Sequence, residues 1–359
     1  MNPKTSKENS ELGRLSSHSI ILGDSRRMDL VPDRSVHLVI TSPPYWQLKD
    51  YGHADQIGFN DTYEEYINHL NLVWSECRRV LHDGCRLCVN IGDQFARSTY
   101  YGRYKVVPIR TEITRFCESI GFDYMGAIIW QKATTCNTTG GAVIMGSFPF
   151  PRNGIIKIDY EFILIFKKSG EGPQPSADAK EASRLTTEEW NRFFYGHWNF
   201  SGARQEKHLA MFPEELPRRL IKMFSFVGET VLDPFLGSGT TSLAAMRLGR
   251  SSVGYEKNAE FLPILREKLG AGHDHFVSPA TIEFREAPPL TPEDVQNLLA
   301  KQPYSFRDPV VLSLKTDPKA KRYGSVIETG DRGSPDRRKK GRPMKKSGSE
   351  PRKRGRPRK

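Results

Sequence analysis

An apolar run near the start of the chain ends in two consecutive prolines, in the sequence V-H-L-V-I-T-S-P-P-Y-W at residues 36–46. Pro43 and Pro44 have no N–H for a sheet, and each restricts the residue before it, so they predict a stiff loop directly after a strand. The loop presents the Ser42 hydroxyl, the Pro43 carbonyl and the Tyr45 ring. These groups can hold a planar amine, because oxygens accept its N–H groups and a ring stacks on its face. An ordinary rigid turn is the alternative.

A second stretch with chemical potential is V-L-D-P-F-L-G-S-G-T-T at residues 231–241, where a short strand ends and a glycine-rich turn opens a helix. Glycines let the backbone approach a ligand closely, and a helix N-terminus favours a carboxylate. Glu256 ends the next predicted strand about 20 residues later, where an acid can bind ribose hydroxyls. The spacing is not G-x-G-x-x-G, so the turn is not the usual dinucleotide fingerprint. The candidate binding residues of the turn are Asp233, Phe235, Gly237 and Glu256, with Gly239 at the helix start.

Strands and helices must place these two stretches together. Apolar, β-branched runs predict seven strands that alternate with helices, at residues 18–23, 36–41, 86–91, 125–130, 160–166, 230–233 and 252–256. This alternation indicates an α/β fold with a doubly wound sheet, whose ligands bind outside the carboxyl ends of the strands. Asp61 is the expected cap of a long helix, with Glu64 completing a capping box.

Taken together, the two motifs resemble those of the amino-methylating DNA methyltransferases. The matching residues are Ser42-Pro43-Pro44-Tyr45 and Asp233-Pro234-Phe235-x-Gly237-x-Gly239. The catalytic motif comes first and the S-adenosylmethionine motif last, as in the permuted β group, and the resemblance covers roughly residues 19–269. It implies a permuted, Rossmann-like methyltransferase fold with about seven mostly parallel strands and helices on both faces.

The resemblance also implies roles for individual residues. The Ser42–Tyr45 loop would be catalytic, with acceptors that make the amine nitrogen more tetrahedral and a ring that stacks on the extruded base. S-adenosylmethionine would be the cofactor, and the family places an acid at its adenine, here Asp24, unless Asp24 is a helix cap. Phe212 lies in a segment similar to the family's His-x-Ala-x-Phe-Pro, beside the methionine end of the cofactor. The cofactor-binding residues would be Asp24, Phe212, Asp233, Phe235, Gly237, Gly239 and Glu256.

The first residue of the catalytic motif bears on the target base. In this family Ser-Pro-Pro-Tyr is typical of methylation at cytosine N4, and Asp-Pro-Pro-Tyr of methylation at adenine N6. Ser42 therefore favours cytosine in double-stranded DNA, after the base leaves the duplex. Adenine methylation and an inactive protein that binds A·T-rich DNA or chromatin are the alternatives. The chain has no Pro-Cys dipeptide, the nucleophile motif of ring-carbon cytosine methylation, which excludes that chemistry. A cognate restriction endonuclease and a homodimer both stay open.

Nearly all of the excess charge lies at the C-terminus. Residues 331–359 contain 14 Lys and Arg against 3 Asp and Glu, which is +11 of the net charge of +12. They include K-G-R-P at 340–343 and R-G-R-P-R at 354–358, which resemble AT-hooks. Arg342 and Arg356 would then enter a narrow A·T minor groove. An unspecific basic tail or a nuclear-import signal is the alternative.

Length and composition indicate one large catalytic domain with appendages in the 359 residues. We expect a disordered segment at 1–17, a methyltransferase domain at 18–278, a linker or small appendage at 279–330 and the basic tail at 331–359. The irregular segments 133–154 and 185–205 are the candidates for reading DNA sequence.

Nothing in the sequence indicates a membrane or metal protein. No apolar run approaches the ~20 residues of a membrane span, and the N-terminus lacks an apolar signal core. Five cysteines, an odd number, indicate a reducing compartment, and Cys85-x-x-Cys88 has no partner pair for zinc. We therefore expect an intracellular protein without membrane or metal, in the cytoplasm or nucleoid, or in the nucleus if the source is eukaryotic.

Overall fold

A computed structural model describes residues 16–47, 56–96, 101, 105–132, 146–202, 212–270 and 280–310. The strands in these ranges are β1 (Ser16–Leu22), β2 (Val36–Thr41), β3 (Leu81–Ile91), β4 (Gln94–Ala96), β5 (Lys105–Val107), β6 (Phe122–Lys132), β7 (Tyr160–Lys168), β8 (His197–Phe200), β9 (Thr230–Asp233), β10 (Ser251–Glu256) and β11 (Ala280–Glu286). The helices are α1 (Tyr63–Val80), α2 (Ile109–Ser119), α3 (Ala177–Ala182), α4 (Thr187–Phe193), α5 (Glu215–Phe224), α6 (Thr240–Arg247), α7 (Leu262–Gly270) and α8 (Pro292–Ala300).

One mixed sheet organises the molecule, in the strand order β11-β1-β10-β9-β2-β3-β7-β6-β8. Within this sheet only β7 runs antiparallel to its neighbours, so the other eight strands point their carboxyl ends to the same edge, the carboxyl edge. The opposite edge is the amino edge. Because β2 lies beside β9, the two sequence motifs become neighbours although Thr41 and Asp233 are 192 positions apart.

Helices cover both faces of the sheet. α1 and α2 bury Tyr66 and Phe116 on one face, while α5 and α6 bury Leu220 and Ala244 against Leu38 on the other. The predicted fold class is therefore confirmed. The sheet has nine strands rather than about seven, and the additional ones, β8 and β11, are its two edge strands.

The N-terminal bounds differ slightly from those expected. β1 begins at Ser16, so the expected disordered segment is too long at its end, and residues 1–15 lie outside the described residues. Thr62 caps α1, with Glu65 completing the capping box, one residue later than the expected Asp61 and Glu64. The reason is that the Asp61 carboxylate is engaged elsewhere: it accepts from the Gly58 N–H at 2.8 Å.

Residues 280–310 belong to the catalytic domain, so the expected boundary at 278 is wrong. β11 pairs in parallel with β1 over the whole length of both strands. After α8, residues 302–310 run along α1 and form what we call the C-terminal strap. Its contacts are Ser75 Oγ to Gln302 Oε1 (2.6 Å), Asn68 to the Phe306 backbone (3.1 and 2.8 Å) and the Asp308 N–H to Glu64 (2.8 Å).

The direction of the strap is set by α1. The end of α1 leads straight into β3 at the amino edge, so its first turn lies at the carboxyl edge. The strap contacts Ser75 first and Glu64 last, and therefore carries the chain to Val310 at the carboxyl edge.

The two candidate recognition segments adjoin β6 and β8. Residues 133–154 follow β6 at its carboxyl end, although 133–145 lie outside the described residues. In 185–205, α4 precedes β8, and β8 runs parallel to β6. α4 therefore lies at the amino edge, and the role of 185–205 in reading DNA stays a prediction. The described residues that follow β8 in this segment are Ser201 and Gly202, at the carboxyl edge.

Two further features bear on the function classes considered above. Across the described ranges, no helix is both long and apolar enough to cross a bilayer. Cys85 and Cys88 lie in β3 as free thiols, and the same ranges hold no cluster of three potential metal-binding side chains.

Candidate active site

The Ser42–Tyr45 loop follows β2 at the carboxyl edge and is fixed by its neighbours. The Tyr66 hydroxyl of α1 donates to the Pro44 carbonyl at 3.0 Å. Trp46, the first residue after the loop, is fully buried, and its indole N–H donates to the Asp61 carbonyl at 2.9 Å. A proline-stiffened loop anchored on both sides can present its remaining oxygens in one arrangement, as the sequence predicted.

Asp233 joins the two motifs. Its Oδ1 accepts from the Thr41 hydroxyl at 2.9 Å and from the Phe235 N–H at 3.0 Å, and its Oδ2 accepts from the Thr241 hydroxyl at 2.6 Å. Burial raises the pKa of Asp233 to about 6, against the effect of these hydrogen bonds. Asp233 was expected to contact a cofactor, but its carboxylate is buried between β2, β9 and α6. It holds the glycine turn together with the Ser42–Tyr45 loop, which we call the catalytic loop after the role that the family resemblance implies.

The glycine turn and Glu256 form one side of a cleft. Gly237 has a φ of +54°, and no atom lies within 4 Å of the position where a Cβ would stand. The Glu256 carboxylate accepts from the Gly237 and Asn258 N–H groups, both at 2.8 Å, and burial raises its pKa. Gly239 is different, because a Cβ there would lie 2.7 Å from the Leu265 side chain. Gly239 thus permits close packing of α7 and does not face the cleft.

The cleft lies between the two motifs at the carboxyl edge. The expected residues that line it are Asp24, Ser42, Pro44, Phe212, Phe235, Gly237 and Glu256. Further residues that were not singled out from the sequence also line it, among them Gln56, Ile57, Tyr255 and Lys257. Pro43, Tyr45, Asp233 and Gly239 do not line it, and Arg342 and Arg356 lie outside the described residues.

Asp24 lines the cleft as part of a charge cluster. It accepts from Arg26 Nη2 at 2.7 Å and from Lys257 Nζ at 2.8 Å. Burial alone would raise the pKa of Asp24, but the hydrogen bonds and charges of Arg26 and Lys257 lower it well below its usual range. No helix begins at this residue, so the helix-cap alternative is wrong.

A second buried carboxylate, Glu161, lies beside the catalytic loop. It is 7% exposed and accepts from Asn90 Nδ2 at 2.8 Å, from the Tyr45 hydroxyl and from Lys132 Nζ. Sequence analysis missed it, because Glu161 is a single acid at the start of the apolar run Y-E-F-I-L-I-F. Only the antiparallel direction of β7 brings its first residues to the carboxyl edge.

Comparison with known proteins agrees with this geometry. The profile of the N6_N4 DNA methylase family matches residues 36–267. Type II methyltransferase M.MjaI of Methanocaldococcus jannaschii is 37% identical over 297 residues, which cover 75% of this chain and 96% of that protein. Type II methyltransferase M.MthZI of Methanothermobacter thermautotrophicus is 31% identical over 277 residues, 70% of this chain and 76% of that protein.

Two solved structures are similar as well. TTHA0409 of Thermus thermophilus, assigned as a DNA modification methylase and crystallised with S-adenosyl-L-methionine, has a TM-score of 0.59 and 34% identity, covering 76% of this chain and 99% of that one. PvuII DNA methyltransferase, which is cytosine-N4-specific, has a TM-score of 0.52 over 80% of this chain and 93% of that one. At 19% identity, the PvuII enzyme supports the fold alone.

The family match spans the Ser42–Tyr45 loop, the glycine turn and Glu256, which contribute residues to the cleft, and Asp233, which joins the two motifs behind it. The family match covers well over half of the chain, and the alignment with M.MjaI covers 96% of that protein. The chain therefore belongs to the N6_N4 DNA methylase family and is a DNA methyltransferase.

Proposed function

We propose that this DNA methyltransferase uses S-adenosylmethionine to methylate the N4 amino group of cytosine in duplex DNA. The observation that carries the proposal is that Ser42 lines the same cleft as Gly237 and Glu256. An amine held at Ser42 is thereby next to a ligand held by the glycine turn. The hydrogen bond of 2.9 Å between Thr41 and Asp233 fixes the position of the Ser42 loop relative to the glycine turn.

The residues of the cleft fit S-adenosylmethionine. The empty space beside Gly237 admits a ligand against the backbone, and the Glu256 carboxylate lines the cleft at the end of β10, where an acid can accept from ribose hydroxyls. α6 has no side-chain cap at its N-terminus, which suits the carboxylate of the ligand. Phe212 and Phe235 add apolar walls, and Asp24 closes the cleft beside Lys257. When bound, S-adenosylmethionine supplies a methyl group on an electron-poor sulfonium.

The catalytic loop prepares the acceptor nitrogen. The Ser42 hydroxyl and the Pro43 carbonyl accept the two N–H groups of the amine, which favours a more tetrahedral and more nucleophilic nitrogen. Tyr66 already occupies the Pro44 carbonyl and so fixes the loop from behind. Tyr45 stacks on the extruded base. Positioning and preorganised acceptors supply most of the acceleration.

The choice of cytosine rests on Ser42. In this family an aspartate at this position is typical of adenine methylation, and here an uncharged hydroxyl takes its place. The base leaves the duplex before reaction, as in other enzymes that modify bases. Residues 133–154, which follow β6 in the chain, and residues 185–205 are our candidates for reading the surrounding sequence.

The C-terminal tail supplies a second contact with DNA in this proposal. Residues 331–359 carry +11 of the net charge, and Arg342 and Arg356 sit in the two AT-hook-like sequences. The strap delivers the chain to Val310 at the same edge as the catalytic loop. Val310 therefore lies on the side of the molecule that faces the substrate in this proposal, and we assign residues 331–359 to the minor groove of A·T-rich flanks.

Nucleoside mass spectrometry of DNA treated with the enzyme and isotopically labelled S-adenosylmethionine tests the proposal. We expect labelled N4-methylcytosine. Ser42→Ala should lower kcat by about 10²-fold, the size of effect seen when one positioned hydrogen-bond partner of a transition state is removed. Labelled N6-methyladenine would overturn the choice of base. No labelled nucleoside, together with no binding of the cofactor by calorimetry, would favour a DNA-binding protein without catalysis.

A further inference from the structure

Three chain segments direct donors at the buried carboxylate of Glu161. Tyr45 comes from the catalytic loop after β2, Asn90 lies near the end of β3, and Lys132 is the last residue of β6. Glu161 itself is the second residue of β7. The four side chains meet at the carboxyl edge, and they bring the catalytic loop into contact with the two strands β6 and β7.

Stability alone does not account for this cluster. A buried carboxylate is costly unless it is paired and hydrogen-bonded, and the Lys132 charge and the two other donors compensate for that cost. Apolar side chains of similar volume would often serve a core equally well. The backbone of Gly92, directly after β3, also approaches the acid closely, since a Cβ there would lie 3.3 Å from Glu161 Cγ. What distinguishes the position is its contact with Tyr45.

The catalytic loop is thus held on two sides. Ser42 and Pro44 line the cofactor cleft, whereas the Tyr45 hydroxyl bonds to Glu161 on the side away from the cleft. A bond at the tip of the phenol fixes where the ring lies, because the ring can otherwise swing about two side-chain torsions. A ring that stacks on an extruded base needs that fixed orientation.

We propose that Glu161 is a positioning residue for catalysis, which holds the Tyr45 ring in the orientation that receives the target base. The proposal rests on the proposed function, since that function places Tyr45 at the base. Glu161 touches neither cofactor nor amine in this account. Its carboxylate acts through Tyr45, while Lys132 and Asn90 keep the carboxylate in place.

The expected effects follow from the bond. Tyr45→Phe keeps the ring and removes the hydroxyl, and Glu161→Gln keeps the shape and removes the charge. Each should lower kcat by about 10- to 100-fold, because a small misplacement of a reacting group has effects of this size. The double variant should be no slower than the slower single variant, since both substitutions remove the same interaction.

The assay needs a readout that a purely structural role would not change. A duplex that carries the methylated site, identified by single-molecule sequencing, is prepared with a fluorescent analogue at the target base. Stacking on Tyr45 quenches the extruded analogue in the wild-type enzyme. Tyr45→Phe and Glu161→Gln should both reduce this quenching to a similar degree, and the melting temperature of each variant reports separately on folding.

Glu76→Gln is the matched control. The Glu76 carboxylate also accepts three hydrogen bonds, from the Met28 N–H and from Arg79 Nε and Nη2. It contacts neither motif of the cleft, so kcat and quenching should stay within about 2-fold of the wild type even where the melting temperature falls, because sites without shared partners act independently.

Tyr45→Ala separates the two proposals. If Tyr45→Ala methylates at the wild-type rate, Tyr45 is not at the base, and the proposed role of this residue fails together with that of Glu161. A second outcome is that Tyr45→Ala is inactive while Tyr45→Phe and Glu161→Gln keep the wild-type kcat and the wild-type quenching of the base analogue. In that case the proposed function stands and the positioning role is overturned. Multiplying losses in the double variant would also overturn it. If Glu161→Gln does not fold, a wild-type kcat for Tyr45→Phe is sufficient to reject the positioning role of the Tyr45–Glu161 hydrogen bond.

Discussion

Gly237 and Gly228 form a natural pair for testing the cofactor assignment at the scale of single residues. Gly237 has a φ of +54° and Gly228 a φ of +86°, and at both positions no atom lies within 4 Å of a Cβ. A side chain costs about 1–2 kcal/mol in left-handed backbone, whatever the space around it. The two glycines differ in location, because Gly237 lines the cleft and Gly228 lies in the turn before β9, at the amino edge.

We therefore predict that Gly237→Ala and Gly228→Ala lose similar stability, about 1–2 kcal/mol each in chemical denaturation. Only Gly237→Ala should bind S-adenosylmethionine more weakly in calorimetry, by at least about 10-fold, which corresponds to about 1.4 kcal/mol. The added methyl occupies space that the ligand needs in one variant and open solvent in the other. Equal affinities in the two variants would show that the cofactor does not use this turn.

Residue types predicted the chemistry of this site better than they predicted individual contacts. The prolines and glycines located both motifs, because each requires a particular backbone. Asp233 was expected at the cofactor because it precedes the glycine turn in sequence, but its carboxylate is buried and accepts a hydrogen bond from Thr41, 192 positions away. Glu161 could not be found from sequence, because its importance depends on the strand direction of β7.

At the scale of elements, buried strands were predictable and edge strands were not. Strands flanked on both sides show long apolar runs, as in β2 and β7. β11 has an alternating sequence, A-T-I-E-F-R-E, with only intermediate and exposed residues, and β8 has four residues. When the neighbouring strands are not known, the sequences of β8 and β11 resemble those of connecting segments. The position of α4 at the amino edge also follows only from the pairing of β8 with β6.

The revised boundary of the catalytic domain predicts the behaviour of two truncated chains. A chain that ends at residue 310 keeps β11 and the strap, and should unfold cooperatively near the wild-type temperature. A chain that ends at 278 exposes the edge of β1 and removes Phe306 from its contact with Tyr63. Loss of one buried aromatic ring costs about 3–5 kcal/mol, so its Tm should fall by at least about 6 °C in calorimetry.

Phe306→Ala in the chain that ends at 310 is the control that isolates the strap from β11. It should lower Tm by less than the shorter truncation does, because β11 still covers β1. Equal Tm values for the chains ending at 278 and 310 would contradict this prediction and would indicate that residues 280–310 are an appendage to the catalytic domain.

For the whole molecule, charge and the exit point of the chain suggest a division of labour. Almost all of the net charge lies in residues 331–359. The strap ends at Val310 beside the first turn of α1, at the carboxyl edge. Arg342 is 32 residues further on, so an extended chain could reach at most about 110 Å from that point. The tail can thus contact duplex on either side of the target base, while the cleft selects the base itself.

Deleting residues 331–359 should weaken DNA binding and flatten its dependence on salt, yet leave the methylated sequence unchanged. Each phosphate neutralised by the tail adds about 0.9 to the slope of log affinity against log salt, and such contacts carry no sequence information. Binding titrations over a salt series and sequencing of methylated DNA measure the two quantities.

Arg342→Ala with Arg356→Ala is the matched variant, because it retains most of the positive charge. It should keep most of the salt slope and lose the preference for A·T-rich flanks, since only the central arginines enter the minor groove. A changed methylation motif in the deletion variant would mean that the tail takes part in reading bases, and the separation between tail and cleft would not hold.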